Sequence, residues 1–124
     1  MTTAPLATSL PTALATAIAD RTLDRLGSHL ADDVVLRALV PGGLVEEHGR
    51  DAVLDRYDRW FGTYDTVDLL ECSSDVVGDC LLVHYKLRFD PDGDRRVLTQ
   101  TVICRVGQDG VRRMDLVCTG FRSY

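Results

Sequence analysis

Lysine is nearly missing from this chain: Lys86 stands alone among fourteen basic side chains, and the rest are arginine. That bias points to the codon usage of a G/C-rich bacterial genome and says nothing of mechanism. Basic charge as a whole is also short, leaving a formal net charge of −5 and an isoelectric point near 5.0. Such a balance repels a phosphate backbone on average, and no arginine stripe interleaved with aromatics reverses it, so nucleic acid is not an expected partner. No apolar run approaches the roughly 18 residues of a membrane span, so no membrane partner is expected either. Cys72, Cys80, Cys104 and Cys118 form no C-x-x-C pair and have no histidine at zinc-finger spacing. All four lie in strand-like segments, where a buried free thiol is the plain reading, and neither a metal nor another cofactor is expected. The stretch Met1 to Pro11 lacks the basic and continuous apolar regions of a secretory signal. Residues 1–9 therefore read as a flexible tail, residues 10–124 as one domain, and the protein as cytoplasmic.

What is present is enough for one core. The chain has 124 residues, 45% hydrophobic and 27% charged, which fits a single globular unit and leaves no room for a second. Leu10, Leu14, Ile18, Leu23, Leu26 and Leu30 recur at helical spacing with a break near Asp20 and Arg21, which predicts two short helices. Asp33 to Val40 is β-branched and aliphatic and stops at Pro41-Gly42-Gly43, a strand closed by a turn; a short strand follows at Leu44 to Glu47. Gly49 to Phe61 places Val53, Tyr57, Trp60 and Phe61 on one helical face. Thr66–Val76, Cys80–Phe89, Arg95–Val106 and Val111–Phe121 are then separated by Gly-, Asp- and Pro-rich turns, the pattern of an antiparallel meander. Helices first and a long-stranded sheet afterwards is an α+β arrangement.

The series Leu30-Ala31-Asp32-Asp33-Val34-Val35-Leu36, then Pro41, then Gly49-Arg50-Asp51-Ala52-Val53 before an amphipathic helix and four long strands, resembles the nuclear transport factor two-like superfamily and its SnoaL-like domains. The resemblance covers Leu10 to the C-terminus. It implies a cone-shaped half-barrel, with N-terminal helices packed in a strongly curved, mostly antiparallel sheet around a pocket. It also implies a homodimer, formed through the charged outer sheet face. The superfamily includes ketosteroid isomerases, epoxide hydrolases, polyketide cyclases, dehydratases and non-catalytic modules, so fold alone does not name the function.

Alternation along each strand assigns the inner face. Leu36, Ala38 and Val40; Leu81, Val83, Tyr85, Leu87 and Phe89; Leu98, Gln100, Val102, Cys104 and Val106; and Met114, Leu116 and Cys118 are expected inside. His84, Lys86, Arg88, Arg113 and Asp115 are expected outside, although a one-residue bulge would bring Asp115 inward. By resemblance, the ketosteroid isomerase base falls on Ala38, the tyrosine donor on Leu14 and the protonated acid near Val102, none of which transfers a proton. The epoxide hydrolase acid falls near Leu116, and its Arg-x-Asp strand on Val83-x-Tyr85 or His84-x-Lys86. Both mechanisms are therefore disfavoured.

Polar groups left on inner positions are Tyr57, Tyr85 and Gln100, the candidate catalytic residues, with Arg112 near the rim. Tyr57 falls where ketosteroid isomerases also carry a supporting tyrosine. A phenol can donate to a ligand carbonyl and an amide can both donate and accept; the plainer alternative is that both tyrosines pack as core aromatics. Leu14, Leu36, Ala38, Trp60, Val83, Val102, Met114, Leu116 and Cys118 are expected to line the rest of the pocket. Three functions fit: a cofactor-independent isomerase, cyclase or dehydratase acting on a small apolar metabolite, a non-catalytic binder of such a molecule, and a dimeric association module.

Overall fold

The computed structural model describes residues 14–18, 23–64, 66–89 and 95–124. Residues 14–18 (α1) and Leu23–Gly27 (α2) are helical, followed by β1 (Leu30–Val40), β2 (Gly43–His48), α3 (Arg50–Phe61), β3 (Val67–Val77), β4 (Cys80–Phe89), β5 (Arg96–Gly107), β6 (Gly110–Cys118) and β7 (Arg122–Ser123). The expected tail and the expected break near Asp20 lie outside the described residues. Leu30, expected at the end of a helical stripe, instead opens β1 three residues ahead of the expected strand start and pairs with Val111.

The strands form one curved, unclosed mixed sheet in the order β2-β1-β6-β5-β4-β3, with β7 paired to the start of β5. The stretch from β3 to β6 is the antiparallel meander that the turns predict. The first and last long strands, β1 and β6, lie side by side in parallel, which joins the N-terminal hairpin to the meander. Register shifts interrupt β1, β3 and the β5–β6 pair. Bulges of this kind sharpen local twist, which suits a sheet that must curl around helices.

Alternation decides what the concave side contains. Along β4, Leu81, Val83, Tyr85, Leu87 and Phe89 are buried, while the intervening residues are partly exposed. On α3 the buried positions are Val53, Tyr57 and Phe61, spaced at four residues so that one stripe faces the sheet. Asp51 in the first turn and Arg59 in the last complement the helix dipole. Arg56 fixes the helix to β2, donating to Glu47 Oε2 from Nε at 2.8 Å and from Nη2 at 2.6 Å. Each large apolar side chain buried in this way contributes about 1.5–3 kcal/mol, and the sum holds helices and sheet together. Among the described residues no helix is long and apolar enough to cross a membrane.

The tight end of the cone depends on Gly110. It has φ of +117°, and a Cβ there would come within 2.6 Å of the His29 carbonyl, which already accepts from Val111 N–H at 2.8 Å. Gly110→Ala is expected to destabilise the fold by about 1–3 kcal/mol through strain and this clash. Gly42→Ala, at a site with nothing within 4 Å of the added carbon, should change stability by less than about 0.5 kcal/mol. Urea unfolding of the two variants checks the contrast.

Candidate functional site

The inner face of the sheet is dry except at one place. Apart from two tyrosines, Gln100 is the buried polar side chain among the described residues. It sits on β5 directly opposite Tyr85 of β4, and the Tyr85 hydroxyl donates to Gln100 Oε1. Tyr57 reaches toward them from α3. Its hydroxyl approaches that of Tyr85 without a well-formed hydrogen bond and has no other partner among the described residues. All three candidate catalytic side chains are thus brought together, at exposures of 0%, 0% and 1%. Burial pushes both phenols well above the usual tyrosine range, with Cys104 adding to the effect, so each stays protonated and acts as a neutral hydroxyl.

Next to this trio a pocket of about 560 Å³ opens at the mouth of the cone. Its apolar walls are Val40, Pro41, Trp60, Phe61, Leu98 and Phe121, with Gln100, Cys118, Thr119, Gly120 and Arg122 completing it. Gln100 is the member of the trio that lines this pocket. A chain of rings supports the same end: Phe61 stacks on Phe89 at 5.8 Å, and Phe89 meets Tyr64 at 4.7 Å and Phe121 at 5.1 Å. Gly120 makes the wall possible. At φ of +78° it turns the chain after β6, and a Cβ there would strike Pro41 Cγ at 2.5 Å.

Of the expected lining residues, Trp60 and Cys118 face this mouth. Leu14, Leu36, Ala38, Val83, Val102, Met114 and Leu116 lie deeper, at 0–2% exposure, and form a packed floor. A further pocket of about 430 Å³ lies beside Ala17, Ile18, Leu23, Tyr57, Asp58 and Phe61. The expectation that Arg112 approaches the rim is corrected. Val106 pairs with Val111 and Arg105 with Arg113, which leaves Arg112 as the extra residue of a bulge. The bulge sends Val111 into the core and places Arg112 outside, 3.8 Å from Asp33, in a surface groove with Arg37, Glu46 and His48. Because the bulge lies before Arg113, Asp115 stays on the outer face, where Arg113 Nε donates to it at 2.9 Å. His48 is likewise outside, hydrogen-bonded to Glu46 and holding that carboxyl below the usual carboxylate range.

Several mouth residues escaped the sequence reading as site residues. Strand parity places Val40 and Leu98 inward, so they were within its reach. Pro41, Thr119, Gly120, Phe121 and Arg122 lie where strand periodicity has ended, and no period marks them. Among the described residues, no group of three or more His, Cys, Asp or Glu side chains is placed to hold a metal.

A SnoaL-like domain model matches residues 12–113. The chain belongs to the SnoaL-like family. The match stops short of residues 118–122, which build one wall of the mouth. No curated protein sequence matches the chain. Among solved structures, it is similar to a candidate polyketide cyclase from Xanthomonas campestris, at a TM-score of 0.72 and 22% identity over 90% of this chain and 88% of that one. A protein of ketosteroid isomerase-like fold from Catenulispora acidiphila, solved with trimethylamine, aligns at 0.71 and 15% identity over 88% and 84%. An LEH-like epoxide hydrolase from Mycobacterium tuberculosis aligns at 0.69 and 13% over 90% and 81%. These likenesses share the fold. Ala38, Leu14, Val102 and Leu116 are buried here and carry no group that moves a proton.

Two outcomes follow from the buried groups. Burial raises the Cys104 thiol to about 12 from an ordinary value of 9.0. Between those values the unfolded chain holds fewer protons than the folded one, so stability should be full below about pH 9 and decline as pH rises toward 12. Thermal melts from pH 7 to 11 check the slope, which Cys104→Ala should make shallower. Gln100→Leu strands the buried Tyr85 hydroxyl and should cost about 1–3 kcal/mol, whereas Tyr57→Phe removes an already unpartnered hydroxyl and should be neutral or stabilising. Urea melts separate the two.

Proposed function

We propose that this SnoaL-like protein is an enzyme that takes a small, largely apolar molecule into the mouth of the cone and isomerises or cyclises it without a cofactor. The observation that carries the reading is the Gln100 amide: buried, anchored by Tyr85, and opening onto a pocket with aromatic and aliphatic walls. A polar group of fixed orientation in an apolar pocket is the usual form of a small-molecule site. Gln100 would hold a carbonyl or ether oxygen and stabilise charge that develops on it. Trp60, Phe61 and Phe121 would hold the hydrocarbon skeleton in a reactive fold. Reactions limited by conformation suit this site, because positioning alone can supply several kcal/mol of the barrier and, among the described residues, no carboxylate lines this pocket.

The same absence of an acid or base favours a second reading, non-catalytic binding of the same molecule. Trp60 is the single tryptophan and lines the pocket, so its fluorescence reports occupancy directly. Terpenoid and bicyclic polyketide-like ketones of about ten to fifteen carbons fit the volume. At least one should quench Trp60 and raise the melting temperature, and Gln100→Leu should weaken it roughly tenfold. Conversion of the bound compound, followed by mass spectrometry and lost in Gln100→Leu, would establish the enzyme. Tight binding without conversion of any member would establish the binder, and failure of every member to bind would remove both readings.

We also propose that the outer face of β2, β1, β6 and β5 pairs two copies of the chain. Leu39, Leu44, Ile103 and Val117 are exposed there at 56%, 59%, 41% and 58%, flanked by Arg37 and Asp115. Sedimentation should give a dimer that Val117→Asp converts to a monomer; a monomeric native chain would contradict the pairing.

A further inference from the structure

The buried trio can be wired in two directions, and the direction determines what the mouth offers a ligand. In one, Tyr85 donates to Gln100 Oε1 and the amide nitrogen is left for the pocket. In the other, the amide is turned over: its nitrogen donates to Tyr85, Tyr85 donates to Tyr57, and the carbonyl oxygen faces the pocket. The Tyr57 hydroxyl has no hydrogen-bond partner among the described residues and does not decide between the two. The first arrangement is the one the structure holds, with Tyr85 donating to Oε1.

The remaining polar groups of the mouth have the same bias. The Thr119 hydroxyl accepts from Thr99 N–H and donates to the Gly120 carbonyl, each at 3.0 Å, so it is already engaged. Cys118, directly opposite Gln100 in the sheet, accepts from Gly120 N–H. Arg122 can only donate. Among the described residues the Gln100 amide nitrogen has no protein partner.

We propose that Tyr85 is a positioning residue that fixes the polarity of the mouth. By accepting its hydrogen bond, the Gln100 amide turns its N–H groups outward, and the site selects a ligand oxygen that only accepts, as in a ketone, over the matching alcohol. An alcohol bound on the same amide would leave its own proton unpaired against apolar walls. Tyr85 touches no ligand; it acts through Gln100. This inference rests on the mouth being the binding site.

The probes are 2-decalone and 2-decalol, a neutral bicyclic ketone and its alcohol of nearly equal shape. Trp60 quenching gives both affinities, with circular dichroism as the check that each variant is folded. The native protein should bind the ketone about tenfold more tightly. Tyr85→Phe should reduce that ratio to about threefold or less by freeing the amide to turn, while retaining ketone binding. Gln100→Glu keeps the contact with Tyr85 but presents an acceptor, and should reverse the preference. If neither probe binds the native chain, the mouth is not the binding site and the inference falls with it. If both bind equally, the pocket stands and its polarity does not. If Tyr85→Phe and Gln100→Glu both keep the native ratio, Tyr85 has no positioning role.

Discussion

A buried amide must find both a donor and an acceptor, and the interior of this protein is organised around how Gln100 does so. Every other inward position of β5 described as buried is apolar, so an unmatched amide there would oppose folding. Tyr85 supplies the donor from the next strand, at the position directly opposite. Gln100 also lines the pocket beside the trio. Cys118, Thr119 and Arg122 share the mouth with it.

Much of this was legible in the sequence. Period-two alternation in β4 and β5 placed Tyr85 and Gln100 on one face because neither strand slips where the two residues lie. The same logic failed for Arg112, since a bulge is set by how neighbouring strands twist and leaves no mark on the hydrophobic pattern. It also sent Leu36, Val83 and Met114 inward without showing whether inward meant a wall or a filled core. Packing is a property of three dimensions, and alternation along a strand does not show how deep an open volume runs. The wall made by Pro41, Gly120 and Phe121 was hidden for another reason. It arises where strands have ended, and one positive-φ glycine rather than a repeat directs the chain.

Strand pairing, the ring cluster around Phe89 and the Arg56–Glu47 contact hold the cone together with the buried core. Family membership therefore fixes the shape of the site and leaves its chemistry to a few side chains. Among the described residues the buried polar ones are neutral, two phenols held protonated by burial and one amide, while Arg122 stands at the pocket wall. Such a set can orient and stabilise an oxygen, and it has no ionised group with which to remove a proton from carbon.

The most direct test observes the amide itself. With the side-chain amides labelled with nitrogen-15, a saturated bicyclic ketone is titrated into the native protein and the Gln100 Nε2 and Trp60 Nε1 resonances are followed. Both should shift together along one binding curve, while Thr101 and Val117 on the outer face stay in place. Shifts confined to the outer face, with Gln100 and Trp60 unmoved at saturation, would contradict the account.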